Sequence, residues 1–192
     1  MKKLGYKSLQ TLQNAGRWLL AAALSACGPA IALQPEQLTA EDLSQQSVEV
    51  PGDLPPNAVL LVGFSRDANA EVRPWWEALQ AARSEHDFTP YNVSVIEGAP
   101  GFMQAMIRRG MREQAKPSRR DYLLLVTEGA EAWRALLGAQ DDAAAHLVRF
   151  DEGGGICLRH TGPLTDDALL AIVSGECESG QPSDDGQINP PL

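Results

Sequence analysis

A single α/β domain, in which a sheet is covered by helices, is the fold class this sequence predicts, on three observations. Ala58-Val59-Leu60-Leu61-Val62-Gly63-Phe64 and Tyr122-Leu123-Leu124-Leu125-Val126 are continuous apolar runs of strand length. Unbroken apolarity over so few residues marks strands buried on both faces. Segments with apolar residues at helical spacing stand between such runs. Finally, two short strand-like stretches flank a glycine-rich connection, the pattern of a β-hairpin.

Each element has its own signal. After the first buried strand, the polar stretch Ser65-Arg66-Asp67-Ala68-Asn69 is able to cap a helix that carries Val72, Trp75 or Trp76, Leu79 and Ala82. Pro74 suits that helix only within its first turn. Tyr91-Asn92-Val93-Ser94-Val95-Ile96 alternates as a strand does. Phe102, Met103, Met106, Ile107 and Met111 form the apolar stripe of a second helix, with Arg108, Arg109 and Arg112 off it. Trp133, Leu136 and Leu137 mark a short third helix ended by Gly138. The hairpin pairs His146-Leu147-Val148-Arg149-Phe150 with Ile156-Cys157-Leu158-Arg159-His160 around Asp151-Glu152-Gly153-Gly154-Gly155. A last helix, from about Thr165 to Ser174, has Asp166 and Asp167 in its first turn, where they favour the helix dipole.

The flanks read differently. Residues 1–32 have the form of an export signal: Lys2, Lys3, Lys7 and Arg17 precede the short apolar run from Trp18 to Leu24. Leu24-Ser25-Ala26-Cys27 matches a lipobox, which makes Cys27 the expected lipidation site. Ala30-Ile31-Ala32 offers ordinary cleavage after Ala32 as the alternative, with a soluble periplasmic product. Residues 33–56, with Pro35, Pro51, Pro55 and Pro56, read as a linker, and residues 57–177 as the domain. The tail 178–192 has the composition of a disordered segment.

Composition narrows the function. The chain of 192 residues, 44% hydrophobic, holds one core comfortably. A net charge of -9 argues against a general nucleic-acid binder, which needs a basic face for phosphates. No metal-ligand spacing of Cys or His is present, and no cofactor is expected. Once Cys27 is processed, Cys157 and Cys177 remain, an even number in an oxidising compartment. A helix that returns beside its strand brings Cys177 back near Cys157, so the two read as a disulfide or as two half-buried thiols.

The order of elements, a βαβ start with a closing hairpin and terminal helix, is thioredoxin-like. It predicts a three-layer α/β/α sandwich with a mixed sheet. Phe64-Ser65-Arg66-Asp67 followed by Trp75-Trp76 resembles the first strand and helix of the ATP-ten-type mitochondrial ATPase assembly factors and their bacterial relatives. Gly101-Phe102-Met103 with Arg108-Arg109-Gly110-Met111-Arg112 resembles their second helix. Phe150-Asp151-Glu152-Gly153-Gly154 with Arg159-His160-Thr161-Gly162-Pro163-Leu164-Thr165 resembles their closing hairpin and turn. The resemblance implies a thioredoxin-like fold and a role in assembling a membrane complex.

Thioredoxin chemistry needs a thiol at the start of the helix after the first strand, where the helix N-terminus lowers its pKa. This sequence has Ser65-Arg66-Asp67-Ala68-Asn69-Ala70 there, and no proline in Asp142-Ala143-Ala144-Ala145 before the next strand. The expectation is therefore a noncatalytic, membrane-tethered binding or assembly factor for an envelope complex, with a protein partner. Its expected contacts are Arg66, Asp67 and Trp75 or Trp76, with Arg108, Arg109 and Arg112 as a second patch. The alternatives are a divergent thiol oxidoreductase or peroxidase working through Cys157, and a small-ligand binding module. Adjacent helical positions diverge, so at least one of Trp75 and Trp76 is expected to be lateral or exposed.

Overall fold

β3 (Ala58–Gly63) is the centre of the sheet, and its apolar run is covered on both sides: Ala58, Val59, Leu60, Leu61 and Val62 have no solvent exposure. The computed structural model describes residues 38–176. The expected signal segment, Cys27, Cys177 and the tail lie outside them. The elements are β1 (Leu38–Asp42), β2 (Ser47–Val50), β3, α1 (Asn69–Ala82), β4 (Thr89–Val95), α2 (Gly101–Gln114), a 3₁₀ segment (Pro117–Tyr122), β5 (Leu123–Val126), α3 (Ala130–Leu137), β6 (His146–Phe150), β7 (Ile156–Thr161) and α4 (Asp166–Ser174).

The strands form one mixed sheet in the order β2-β1-β5-β4-β3-β6-β7. β3, β4 and β5 run parallel, because a helix returns the chain between each pair. β6 pairs antiparallel with β3, and β7 antiparallel with β6. Alternate residues of the central strands point to opposite faces. On one face Val59, Leu61 and Leu147 meet Val72, Trp75 and Leu79 of α1 and Ile172 and Val173 of α4. On the other, Leu60, Val62 and Val148 meet Trp133 and Leu137 of α3 together with Leu38, Ala40 and Val50. This is the expected three-layer arrangement.

Three local expectations are corrected. The stretch 33–56 is not simply a linker, because β1 and β2 join the sheet and bury Leu38, Ala40, Leu43 and Val50. Its prolines misled the reading; Pro51, Pro55 and Pro56 lie after β2, in the turn into β3. Pro74 sits inside α1, past the first turn, so no amide at that position bonds the Ala70 carbonyl. The third correction is α2, whose Phe102, Met103 and Met106 are exposed while Ile107 and Met111 are only half-buried.

No residue of α2 is buried, and Phe102 and Met106 are 72% and 62% exposed. The helix is fastened by its cations instead. Arg108 pairs with Glu41 of β1, and Arg112 donates to the Leu43 carbonyl. A helix held mainly by polar contacts opens more readily than one that buries an apolar face. Replacing Arg108 and Arg112 together by methionine should speed amide hydrogen exchange across Gly101–Gln114 about tenfold or more, with the β3 amides unchanged. Equal acceleration in both elements would show that α2 is integral to the core.

Candidate functional site

Two ends of the sheet compete as the site. At the first, β3 leads through buried Phe64 into α1, where thioredoxin chemistry would require its thiol. The Ser65 hydroxyl accepts from the Ala68 amide at 3.3 Å, and Arg66 and Asp67 are exposed. No cysteine lies at this turn. The facing loop is closed by internal bonds, since Glu71 Oε2 accepts the Ala145 amide at 2.8 Å. His146, fully buried, donates from Nε2 to the Asp141 carbonyl at 2.8 Å, which leaves Nδ1 to accept from the Thr161 hydroxyl at 3.1 Å. Phe64 lies edge-on to His146 with ring centroids 5.5 Å apart, and the Arg134 guanidinium stands 5.0 Å from the Phe64 ring. Arg134 also holds Asp142 at 2.9 Å, and this hydrogen bond keeps the Asp142 carboxyl below its ordinary value. At the same end His160 Nε2, buried opposite Leu147 in β7, has no hydrogen-bond partner among the described residues.

The sulfur is at the opposite end. Cys157 lies in β7, an edge strand, and is disulfide-bonded. The sequence has three cysteines, so its partner is Cys27 or Cys177, both outside the described residues. The register explains how the sulfur is presented. Arg149 pairs with Leu158 and Phe150 with Ile156, so Cys157 is the extra residue of a β-bulge. A bulge re-aims a side chain that a regular strand would turn to one face. Cys157 is half-buried rather than sealed in the core.

Beside the bulge, Arg149 is a buried cation at 4% exposure. Its Nη1 donates to the carbonyls of Ile172 at 2.6 Å and Val173 at 3.2 Å, and its Nη2 to the Asp87 carbonyl at 3.3 Å. These are carbonyls of the last turn of α4 and of the turn before β4, groups that otherwise lack donors. Burial pushes the Arg149 guanidinium below its ordinary pKa, while the nearby Asp87 charge opposes that shift. Gly175 ends α4 with φ +72°, and a Cβ there would stand 2.6 Å from Arg149 Nη2. One side chain therefore fixes where the chain leaves α4, two residues before Cys177. Sequence reasoning passed over Arg149; the available signal was a cation inside the otherwise apolar run of β6.

The other expected contacts divide. Trp75 is fully buried and donates from Nε1 to the Gly162 carbonyl at 2.9 Å, so it cannot serve as a surface contact. Trp76 is half-buried, as the adjacent position requires. Arg109 is exposed and pairs with Glu113 one turn on at 2.8 Å. Arg108 and Arg112 are spent on β1 and its turn, so the expected basic patch of three is not assembled.

Solved structures that match this fold include thioredoxins and disulfide oxidoreductases. The exposed lipoprotein thioredoxin Etrx1 of Streptococcus pneumoniae matches at TM-score 0.50 and 12% identity, over 72% of this chain and 98% of its own. The thioredoxin domain of a Bacteroides vulgatus thiol-disulfide oxidoreductase matches at TM-score 0.49 and 18% identity, over 74% and 94%. Mycobacterium tuberculosis DsbF, in mixed oxidised and reduced forms, matches at 0.49 and 13%, over 73% and 95%. No family model matches the sequence, and no curated protein matches it. The fold is thioredoxin-like. The narrower resemblance to ATP-ten-type assembly factors gains no support from these structures. The expectation of a noncatalytic binding or assembly factor is corrected, because the fold is shared with a thioredoxin and the chain itself carries a disulfide.

Replacing Gly175 by alanine should cost about 2 kcal/mol of unfolding free energy in urea, from the positive φ and the collision with Arg149. In an Arg149→Met background the collision is removed and the same change should cost measurably less. An equal cost in both backgrounds would assign the whole effect to φ.

Proposed function

We propose that this chain is a divergent thiol–disulfide exchange protein of the cell envelope, acting through the disulfide at Cys157. The observation that carries the reading is a disulfide at half-buried Cys157, set in a bulge on an edge strand, in a fold shared with a thioredoxin. Exchange requires a thiolate to approach a sulfur along the S–S axis. An edge strand leaves one flank without a neighbouring strand, and β7 is such an edge.

The reaction follows from where the sulfur lies. Cys157 is not at the start of α1, so that helix dipole does not activate it as the first nucleophile. The substrate supplies the attacking group. A thiolate of a substrate dithiol attacks one sulfur of the disulfide, forming a mixed disulfide and releasing the other sulfur of the chain as thiolate. The second substrate thiol, deprotonated, then displaces the sulfur held in the mixed disulfide. The substrate leaves as a disulfide, and both cysteines of the chain end reduced. Two electrons and two protons pass from the substrate to the chain. Anchored by Arg149, the end of α4 keeps its place through the cycle.

Export and tethering belong to the same reading. The lipobox at Cys27 would hold the domain at a membrane surface, in a compartment where disulfides persist. Labelled palmitate should enter the chain and be lost in Cys27→Ser, whereas a soluble product ending its signal at Ala32 would take up none.

The reduction potential decides whether the disulfide exchanges or only staples. Equilibration of the folded full chain with a dithiol buffer should give a potential above about -250 mV, within reach of cellular dithiols. The Cys157→Ser chain should accept no electrons from that buffer. A potential below about -300 mV is that of a structural staple and would overturn the reading.

A further inference from the structure

The way α2 is attached has a consequence on the α1 side of the sheet. Val93 of β4 faces the α3 layer, so Asn92 and Ser94 face the opposite way, towards α1 and α2. Of these two, Asn92 lines an open cleft. Two clefts remain along the flank of α1. One, of about 460 Å³, is lined by Asn69, Val72, Arg73, Trp76 and Asn92 among others. The second, of about 320 Å³, is lined by Trp76, Met111, Ala115, Lys116, Arg119 and Leu123 among others. Trp76 lines both clefts, so they adjoin as one groove.

The charge of this groove runs against that of the chain. The sequence has 25 acidic and 16 basic residues, yet the linings include Arg73, Lys116 and Arg119 and not one carboxylate. Among the described residues none of these three cations forms a salt bridge, whereas Arg108, Arg109 and Arg134 are all paired. Between the cations stand Val72, Trp76, Met111 and Leu123, with the side-chain amides of Asn69, Asn92 and Gln114. Apolar surface with a few convergent charges is the usual lining of a small-ligand site.

We propose that this groove binds an amphipathic anion, its carboxylate or phosphate head held by Lys116 and Arg119 and its apolar body lying on Trp76, Met111 and Leu123. The ammonium and guanidinium donate charge-assisted hydrogen bonds to the head. The body covers apolar surface that α2 leaves open. The site is independent of the disulfide, because β7 lies across the sheet from β5, with β4, β3 and β6 between them.

Laurate, dodecyl phosphate and neutral dodecanol, each below its aggregation limit, are titrated against the full chain by calorimetry and by tryptophan emission. Laurate and dodecyl phosphate should bind saturably at one site, and dodecanol about tenfold or more weakly, because it lacks the charge. The Lys116→Gln/Arg119→Gln double variant alters exposed residues only, so it keeps the fold. It should lose about tenfold in laurate affinity while leaving dodecanol binding unchanged. Inorganic phosphate alone should not compete at equal concentration. Equal binding of laurate and dodecanol, or unchanged laurate affinity in the double variant, would overturn the site. So would a chain that binds phosphatidylglycerol vesicles but not monomeric laurate, since that marks a membrane-surface patch instead. The disulfide potential measured on the same samples reports separately on the exchange reading.

Discussion

Complete burial of β3 is the constraint on which the rest depends. Five consecutive residues of the strand are sealed, and their side chains alternate between two faces. Such a strand is stable only in the middle of a sheet with cover above and below. α1 and α4 supply one layer and α3 the other. The centre is thereby committed to packing. What remains free for chemistry is the periphery: the strand ends, the edge strand β7 and the flank that α2 covers thinly.

The polar anchors show how that periphery is fixed. Arg149 reaches from β6 to the carbonyls that end α4, converting a buried charge into a clamp between three backbone segments. Its three acceptors are neutral carbonyls, so the charge is balanced by oriented dipoles and by the more distant Asp87. Glu71 does comparable work at the other end, where its carboxylate takes the Ala145 amide and draws α1 to the loop before β6. One end of the fold is closed by this bond and the His146 pair, while the other presents a sulfur.

α2 illustrates a different balance. Its first two turns carry Phe102, Met103 and Met106 outward, and Arg108 and Arg112 reach β1 and its turn. An amphipathic stripe ordinarily finds the core. Here the sheet beneath offers Asn92 and Ser94 beside Leu123 and Leu125, a floor only half apolar. Two charge-assisted contacts to β1 and its turn decide the placement instead. The open groove beside Trp76 is the result.

The sequence by itself determined the α/β class, the order of elements from β3 to α4, and the absence of a thiol at the start of α1. Apolar runs, helical spacing and glycine stops are local signals, and the local chain obeys them. It also showed that Trp75 and Trp76 must diverge. Packing alone settled which of the two is buried, that Leu38–Asp42 and Ser47–Val50 complete the sheet, and that Arg108 and Arg112 bond β1 and its turn. It alone set Cys157 in a bulge and Arg149 against α4. The physical reason is one of range. A strand or helix follows from neighbours a few residues apart, whereas the acceptor of a buried guanidinium is chosen by packing: Arg149 bonds carbonyls 23, 24 and 62 residues away.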